Sequence, residues 1–284
     1  MKKTSNGMNI QYDVHKNIKD ILKAVRSEHK DRLQIQLQSQ GAILSFVIDH
    51  SLNVTKSLWT SVQSKMPKNI FNFTIRYLNN SLSTRSNLKK WNFTQSSDCS
   101  FCHLPETLLH VVAGCKSYLE EGRYTWRHNS ALQVLANYFR ATSGLSLYVD
   151  LPCFHSPCII TGDIFRPDLI LVTTDKKIYI LELTVGFETN LEVNAERKRA
   201  KYQSLVENLK SKYKDVNFVN LSISSLGIFG PSCSSFIEMC DALSVDVGHR
   251  RYLISKLCNT IIRTTYYIFC RRNKPWDSPE ILSF

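Results

Sequence analysis

Residues 165–188 read FRPDLILVTTDKKIYILELTVGFE, two apolar runs parted by a tight polar break. The runs at 169–174 and 177–184 are rich in Ile, Leu, Val and Thr and are bounded by turn residues, the pattern of short strands. The break TDKK joins them as a hairpin. Arg166-Pro167-Asp168 stands before the first strand and Glu182 lies inside the second. In a hairpin, Asp168 and Glu182 approach each other at one end of the sheet. Glu182 is the informative residue, because a carboxylate within an otherwise apolar strand is costly unless it is paired or bound to a cation. Two carboxylates at a strand edge suit Mg2+ or Mn2+, hard cations that complete their shells with water and phosphate oxygens. Such a metal activates water and stabilises a phosphate under hydrolysis. Two unrelated acids on a surface hairpin would give the same letters.

The neighbouring segments extend an α/β order. SALQVLANYFRA (130–141) has helical spacing, and LSLYVDL (145–151) reads as a further strand. A long charged helix is expected over about 191–213, a strand over 218–224, and closing helices near 233–245 and 248–272. Lys198, Lys201 and Tyr202 fall within one turn of the charged helix. A lysine there could reach back to polarise a phosphate or orient water, or the run could be a solvated basic face. Toward the N-terminus, Ile18, Ile21, Leu22 and Val25 suit one face of an amphipathic helix. The stretches 41–51 and 57–82 look like further helices, and the polar segment 83–98 follows.

That segment leads into CSFCHLPETLLHVVAGC, residues 99–115. Cys99-x2-Cys102 makes a compact turn whose sulfurs converge on one ion, and His110 and Cys115 can complete a tetrahedron. Cys3His is a closed structural zinc set with no position left for water. His103 is set aside because it would point away from the converging pair. Cys153, His155 and Cys158 read as loop residues in preference to a second metal site. Cys233, Cys240, Cys258 and Cys270 read as small core residues on helices.

Apolar residues make up 43% of 284 residues, enough for a full core, and no run reaches the length of a membrane span. The start, MKKTSNGMNIQYDVHK, has no apolar stretch of the secretory kind. In a reducing compartment the nine cysteines are expected as thiols or metal ligands. A net charge of +12, from 36 Lys and Arg against 24 Asp and Glu, favours a polyanionic partner, nucleic acid being the commonest.

In this order the pieces resemble the C-terminal part of site-specific non-LTR retrotransposon polyproteins whose endonuclease is restriction-enzyme-like. In that family a CCHC knuckle follows the reverse transcriptase and precedes a PD-(D/E)xK nuclease. The knuckle is matched by Cys99, Cys102, His110 and Cys115, with ETLLH between the ligands. The family's Arg-His-Asn or Arg-His-Asp element is matched by Arg127, His128 and Asn129, and its R/K-P-D with a later acid by Arg166, Pro167, Asp168 and Glu182. The likeness covers roughly residues 50–272. Thr184 stands where the orthodox E-x-K would put lysine. The family moves that lysine to the next helix, where Lys198 and Lys201 both remain open. No Tyr-Ala-Asp-Asp polymerase motif occurs, so the chain reads as a detached C-terminal segment.

The resemblance implies a helical N-terminal region (1–95), a zinc knuckle (96–128), a restriction-endonuclease-like αβββαβ domain with C-terminal helices (129–275) and a tail (276–284). It implies a DNA endonuclease with structural Zn2+, and catalytic Mg2+ or Mn2+ on Asp168 and Glu182 assisted by Lys198, Lys201 and Tyr202. Lys89, Lys90, Arg123, Arg127, His128 and Arg166 are the expected nucleic-acid contacts. The implied partners are DNA, RNA as a second candidate, and a reverse transcriptase in cis or in trans. The implied location is the nucleus, with no membrane association. Two other readings use the same letters: a nucleic-acid-binding module whose nuclease fold no longer cuts, and an interaction scaffold stapled by zinc.

Overall fold

Apolar side chains at nearly every position from 178 to 183 make β3 (Lys177–Gly186) a strand buried on both faces, as the centre of a covered sheet requires. The computed structural model describes residues 18–40, 43, 47, 52–277, 279 and 280. β1 (Leu145–Val149), β2 (Leu169–Thr173), β3 and β4 (Asp215–Ser224) form one sheet in that spatial order. β1, β2 and β3 are antiparallel neighbours, whereas β4 runs parallel to β3. A parallel pair needs a long crossover, and α8 (Leu191–Leu209) supplies it.

The helices preceding α8 are α1 (Ile18–Gln40), α2 (Asn53–Ser64), α3 (Lys68–Leu78), α4 (Arg85–Lys90), α5 (Lys116–Glu120), α6 (Arg123–Arg140) and the short α7 (Cys158–Thr161). After β4 come α9 (Ser234–Ala242) and α10 (Val247–Cys270). Strand side chains alternate between faces, and the core divides accordingly. Leu169, Leu171, Leu181, Leu183, Val219 and Leu221 pack on α6, α9 and α10. Ile170, Ile178 and Ile180 pack on Tyr202, Leu205 and Leu209 of α8. The sheet is therefore the middle of three layers.

The expected elements shift in several places. Pro67 divides the helix expected over 57–82 into α2 and α3, since it lacks the N–H that helix continuation needs. Within the polar stretch 83–98, Thr84 caps α4 by accepting the N–H of Asn87 at 3.3 Å. The charged helix stops at Leu209 instead of 213, and β4 begins at Asp215, three residues before the expected 218. α6 runs unbroken through residues 128 and 129, where a domain boundary was expected. The helix expected over 41–51 lies outside the described residues except for Ile43 and Val47.

The N-terminal helices and the sheet share one core. Phe73, Tyr77, Leu108, Val111 and Tyr118 pack with Phe187, Leu226, Ile228 and Phe269. Within it the Tyr77 hydroxyl donates to Glu188 Oε2 at 2.9 Å. Burial pushes the Glu188 carboxyl up to about 7. A carboxyl raised in the fold above its ordinary 4.5 favours folding fully below that value, and the contribution is lost as pH rises through about 7. Glu188→Gln should therefore remove a decline of up to roughly 3 kcal/mol between those limits, read from melts of both proteins across that window.

Gly227 needs its hydrogen. Its φ is +75°, and a Cβ there would lie 2.9 Å from the Cys258 backbone of α10. Gly227→Ala combines left-handed strain with overpacking, and chemical denaturation should show a loss of about 2–4 kcal/mol.

Candidate metal centre and carboxylate site

The hairpin-like turn at 98–105 brings the first two cysteines together. Cys99 N–H donates to the Leu104 carbonyl, and the Cys99 carbonyl accepts from His103. His103 takes a left-handed φ of 59° and stays exposed, outside the cluster. After it, Leu108 and Leu109 open a helix that widens into a π-helical turn, His110–Gly114, before the chain extends at Cys115. Tyr124 stabilises that widened turn: its hydroxyl donates to the His110 and Val111 carbonyls and accepts from Cys115 N–H at 3.1 Å. Glu106, buried beside it, accepts the N–H of Arg85 at 3.0 Å and ties the turn to α4.

The ligand atoms of Cys99, Cys102, His110 and Cys115 all lie within 4.8 Å of one another. Cys102 Sγ is 3.3 Å from His110 Nε2 and 3.7 Å from Cys115 Sγ. Tetrahedral zinc with bonds of about 2.3 Å to sulfur and 2.0 Å to nitrogen has ligand edges of about 3.4–3.8 Å, so the residues fit the ion. Burial keeps His110 neutral by lowering its pKa and pushes the Cys115 thiol up to about 12. A neutral imidazole is ready to ligate, and a bound cation is what holds such a thiol as thiolate.

Residues 44–120 match the family model zf-RVT, zinc-binding in reverse transcriptase. This stretch is a zinc-binding module related to reverse transcriptases. The match spans α2 to α5 and all four ligands, and ends before the sheet. No curated protein matches the chain.

The carboxylates lie outside that module, at the junction of β2, β3, α6 and α8. Asp168, just before β2, accepts the Leu183 N–H on Oδ2 at 2.8 Å, and His128 Nε2 of α6 lies 3.3 Å from the same oxygen. Glu182 Oε2 meets Lys198 Nζ at 2.6 Å. Burial, then the nearby Asp168 charge, pushes Glu182 up to about 7. Burial works to raise Asp168 as well, but the His128 charge and hydrogen bond, with Lys198 beyond, hold it below the ordinary value. His128 is raised to about 9: burial opposes its charge, and Asp168, with the Asn129 side chain and the Leu183 carbonyl, outweighs that opposition.

The structure separates the two candidate lysines. Lys198 faces the carboxylates; Lys201 lies on the exposed side, its Nζ 3.0 Å from the Tyr202 hydroxyl. The buried Tyr202 donates to the Arg166 carbonyl at 3.0 Å and so fixes the turn entering Asp168. Arg166 itself pairs with Asp150 at 2.6 Å, a partner the sequence did not suggest. Lys89 and Lys90 are exposed at the end of α4, followed by exposed Trp91 and Phe93.

Three expectations need correction. Arg123 is fully buried, bound to Glu121 and to the carbonyls of Arg271 and Lys274, with its guanidinium 3.9 Å from the Tyr118 ring centre. Arg127 is buried as well, donating to Ser225, Thr265 and the Val185 carbonyl. Neither faces a nucleic acid, because both guanidinium groups are buried and their terminal nitrogens donate to internal carbonyls and hydroxyls. Cys270, the last residue of α10, is exposed and not a core residue, unlike Cys233, Cys240 and Cys258. Among the described residues no second cluster of the Cys99 kind occurs, so Cys153, His155 and Cys158 do not form one.

The purified chain should carry about one zinc, and a strong chelator should lower its melting temperature, since structural zinc contributes folding free energy. His110→Ala should lose the metal and stability together, whereas Cys270→Ser should retain both, as metal analysis and melting will show.

Proposed function

We propose that the chain is a metal-dependent DNA endonuclease of retroelement origin, with a restriction-endonuclease-like core and a zinc module that helps grip nucleic acid. One observation carries this reading. Glu182 Oε1 is buried and accepts no hydrogen bond from the described residues, while Asp168 Oδ2 and Glu182 Oε2 are held by protein donors. Buried carboxylate oxygens are normally satisfied; an open one near a second carboxylate, whose charge raises Glu182, suits Mg2+ or Mn2+ completed by water and phosphate oxygens. The order α6-β1-α7-β2-β3-α8-β4, with one acid just before β2 and the other within β3, supports the same reading.

When bound, such a cation supplies charge neutralisation on the phosphate and an activated water. The protein's own groups do the rest. His128 and the Leu183 N–H orient Asp168, and Tyr202 holds the turn before it. Lys198 stands where it can meet negative charge developing on the scissile phosphate. Hydrolysis exchanges one bridging P–O bond for a bond to the water oxygen, and the departing oxygen gains a proton. Lys89 and Lys90 with Trp91 and Phe93 offer charge and stacking surface beside the zinc module. A nuclear site of action and a reverse transcriptase partner belong to the proposal and rest on the zinc-module match.

Supercoiled DNA with Mg2+ or Mn2+ provides the test. Asp168→Ala and Glu182→Ala should abolish nicking with little loss of DNA affinity, because the metal stabilises the transition state more than the bound ground state. Lys198→Met should slow nicking about 100-fold or more, with Lys201→Met close to wild type. Equal nicking by wild type and Asp168→Ala would overturn the assignment. Nicking by neither, on DNA the protein binds, would leave a binding module.

A further inference from the structure

The net charge is not spread over the chain. Residues 50–97 and 247–276 contain no Asp or Glu and fourteen Lys and Arg; the remaining 206 residues hold 22 Lys and Arg against 24 Asp and Glu. The whole positive excess therefore resides in two segments far apart in sequence. The fold lays them together, with α10 of the second packing on α2 and α3 of the first. Part of this charge is spent internally: Arg272 approaches Glu106, and Arg271 pairs with Asp277. Arg250 pairs with Asp241, while Lys65, Lys256 and Arg263 gather where α2 meets the outer face of α10.

A cleft of about 400 Å³ opens there, within the roughly 300–1,000 Å³ of small-ligand sites and roomier than one phosphate requires. Lys65 at the end of α2 and Lys256 and Arg263 of α10 line it, with Tyr252, Asn259 and Thr260. No carboxylate pairs with Lys65 or Lys256 among the described residues. Tyr252 is 57% exposed, a costly placement for a large ring, and Lys256 Nζ lies 5.5 Å from its centre. Arg263 is braced by Asn259, Nε to Oδ1 at 2.6 Å. The Thr260 hydroxyl is fully buried and has no hydrogen-bond partner among the described residues. Two lysines without paired acids, a largely exposed aromatic ring and a buried hydroxyl with no partner among the described residues together describe a polyanion site with a stacking platform.

We infer that this cleft binds a single strand of nucleic acid, its phosphates on Lys65, Lys256 and Arg263 and one base on Tyr252. It lies in the α6, α9 and α10 layer, on the other side of the sheet from α8 and Lys198. The strand held here is thus distinct from one held at the carboxylates. A single strand fits better than a duplex because stacking on Tyr252 needs an unpaired base face.

Labelled oligothymidylate and oligouridylate of about 20 nucleotides, long enough to cover such a site, are titrated into the zinc-loaded full chain across a salt series. Lys65→Glu with Lys256→Glu should flatten the slope of log affinity against log salt by about 1.4, two contacts at about 0.7 each. Tyr252→Ala should weaken binding about five- to hundredfold with the slope unchanged, and Tyr252→Phe should restore it. Equal losses on both strands mean backbone and stacking recognition; a loss on one alone identifies that strand as the occupant. Wild-type affinity and slope in both the double variant and Tyr252→Ala, with zinc content and melting unchanged, would overturn the inference. The nicking assay reads the carboxylate site and these titrations read the cleft, so the two readings stand or fall separately.

Discussion

The Arg127 guanidinium has no water to fall back on, and much of the architecture is arranged around that constraint. An isolated buried charge is prohibitively costly, and acceptors gathered around it make it tolerable. Here they are drawn from three places: the Val185 carbonyl at the end of β3, Ser225 just after β4, and Thr265 of α10. Moving any of these would strand the charge. Arg127 therefore fixes the rotation of α6 against the sheet, and its neighbour His128 is delivered to Asp168. One residue of the pair locks the scaffold, and the next shapes the site.

The zinc module is joined to the sheet by the same economy of buried polar groups. Tyr77 of α3 reaches Glu188 beyond β3, and the Trp59 indole of α2 donates to the Leu226 carbonyl at 2.7 Å. Arg123 is enclosed by Phe101, Tyr118 and Trp276 while it bonds two carbonyls beyond α10. Such contacts stabilise only when all members are in register, because a half-satisfied network costs more than none. The module is thus built into the core rather than tethered beside it, and a metal lost at Cys99–Cys115 would be felt at the sheet.

Much was legible because it depends on local spacing. The Cys3His set, the strand pair around TDKK and the α-β-β-β-α-β order follow from periodicity and ligand spacing, which neighbours in sequence control. Asp168 and Glu182 stood out because a carboxylate in an apolar strand needs an explanation. Illegible in advance were the fates of the basic residues. Arg123, Arg127 and Arg166 carry the same side chain, yet the first two are buried and the third pairs with Asp150 on the surface. Charge pattern reports that a residue is basic, not which acceptors the fold will bring to it.

Sequence alone therefore determined the zinc ligands and the strand hairpin with its two acids, properties of residues close together in the chain, and the positive excess, which is composition. Tertiary structure decided what only distant segments can settle. It set Lys198 on Glu182 and Lys201 on the Tyr202 hydroxyl, a choice the spacing could not make because residues three apart share a helix face. It brought His128 to Asp168 across thirty-nine intervening positions, and it packed two acid-free segments against each other. Helix rotation and packing partners set those outcomes, and neither is written in the spacing of any one segment.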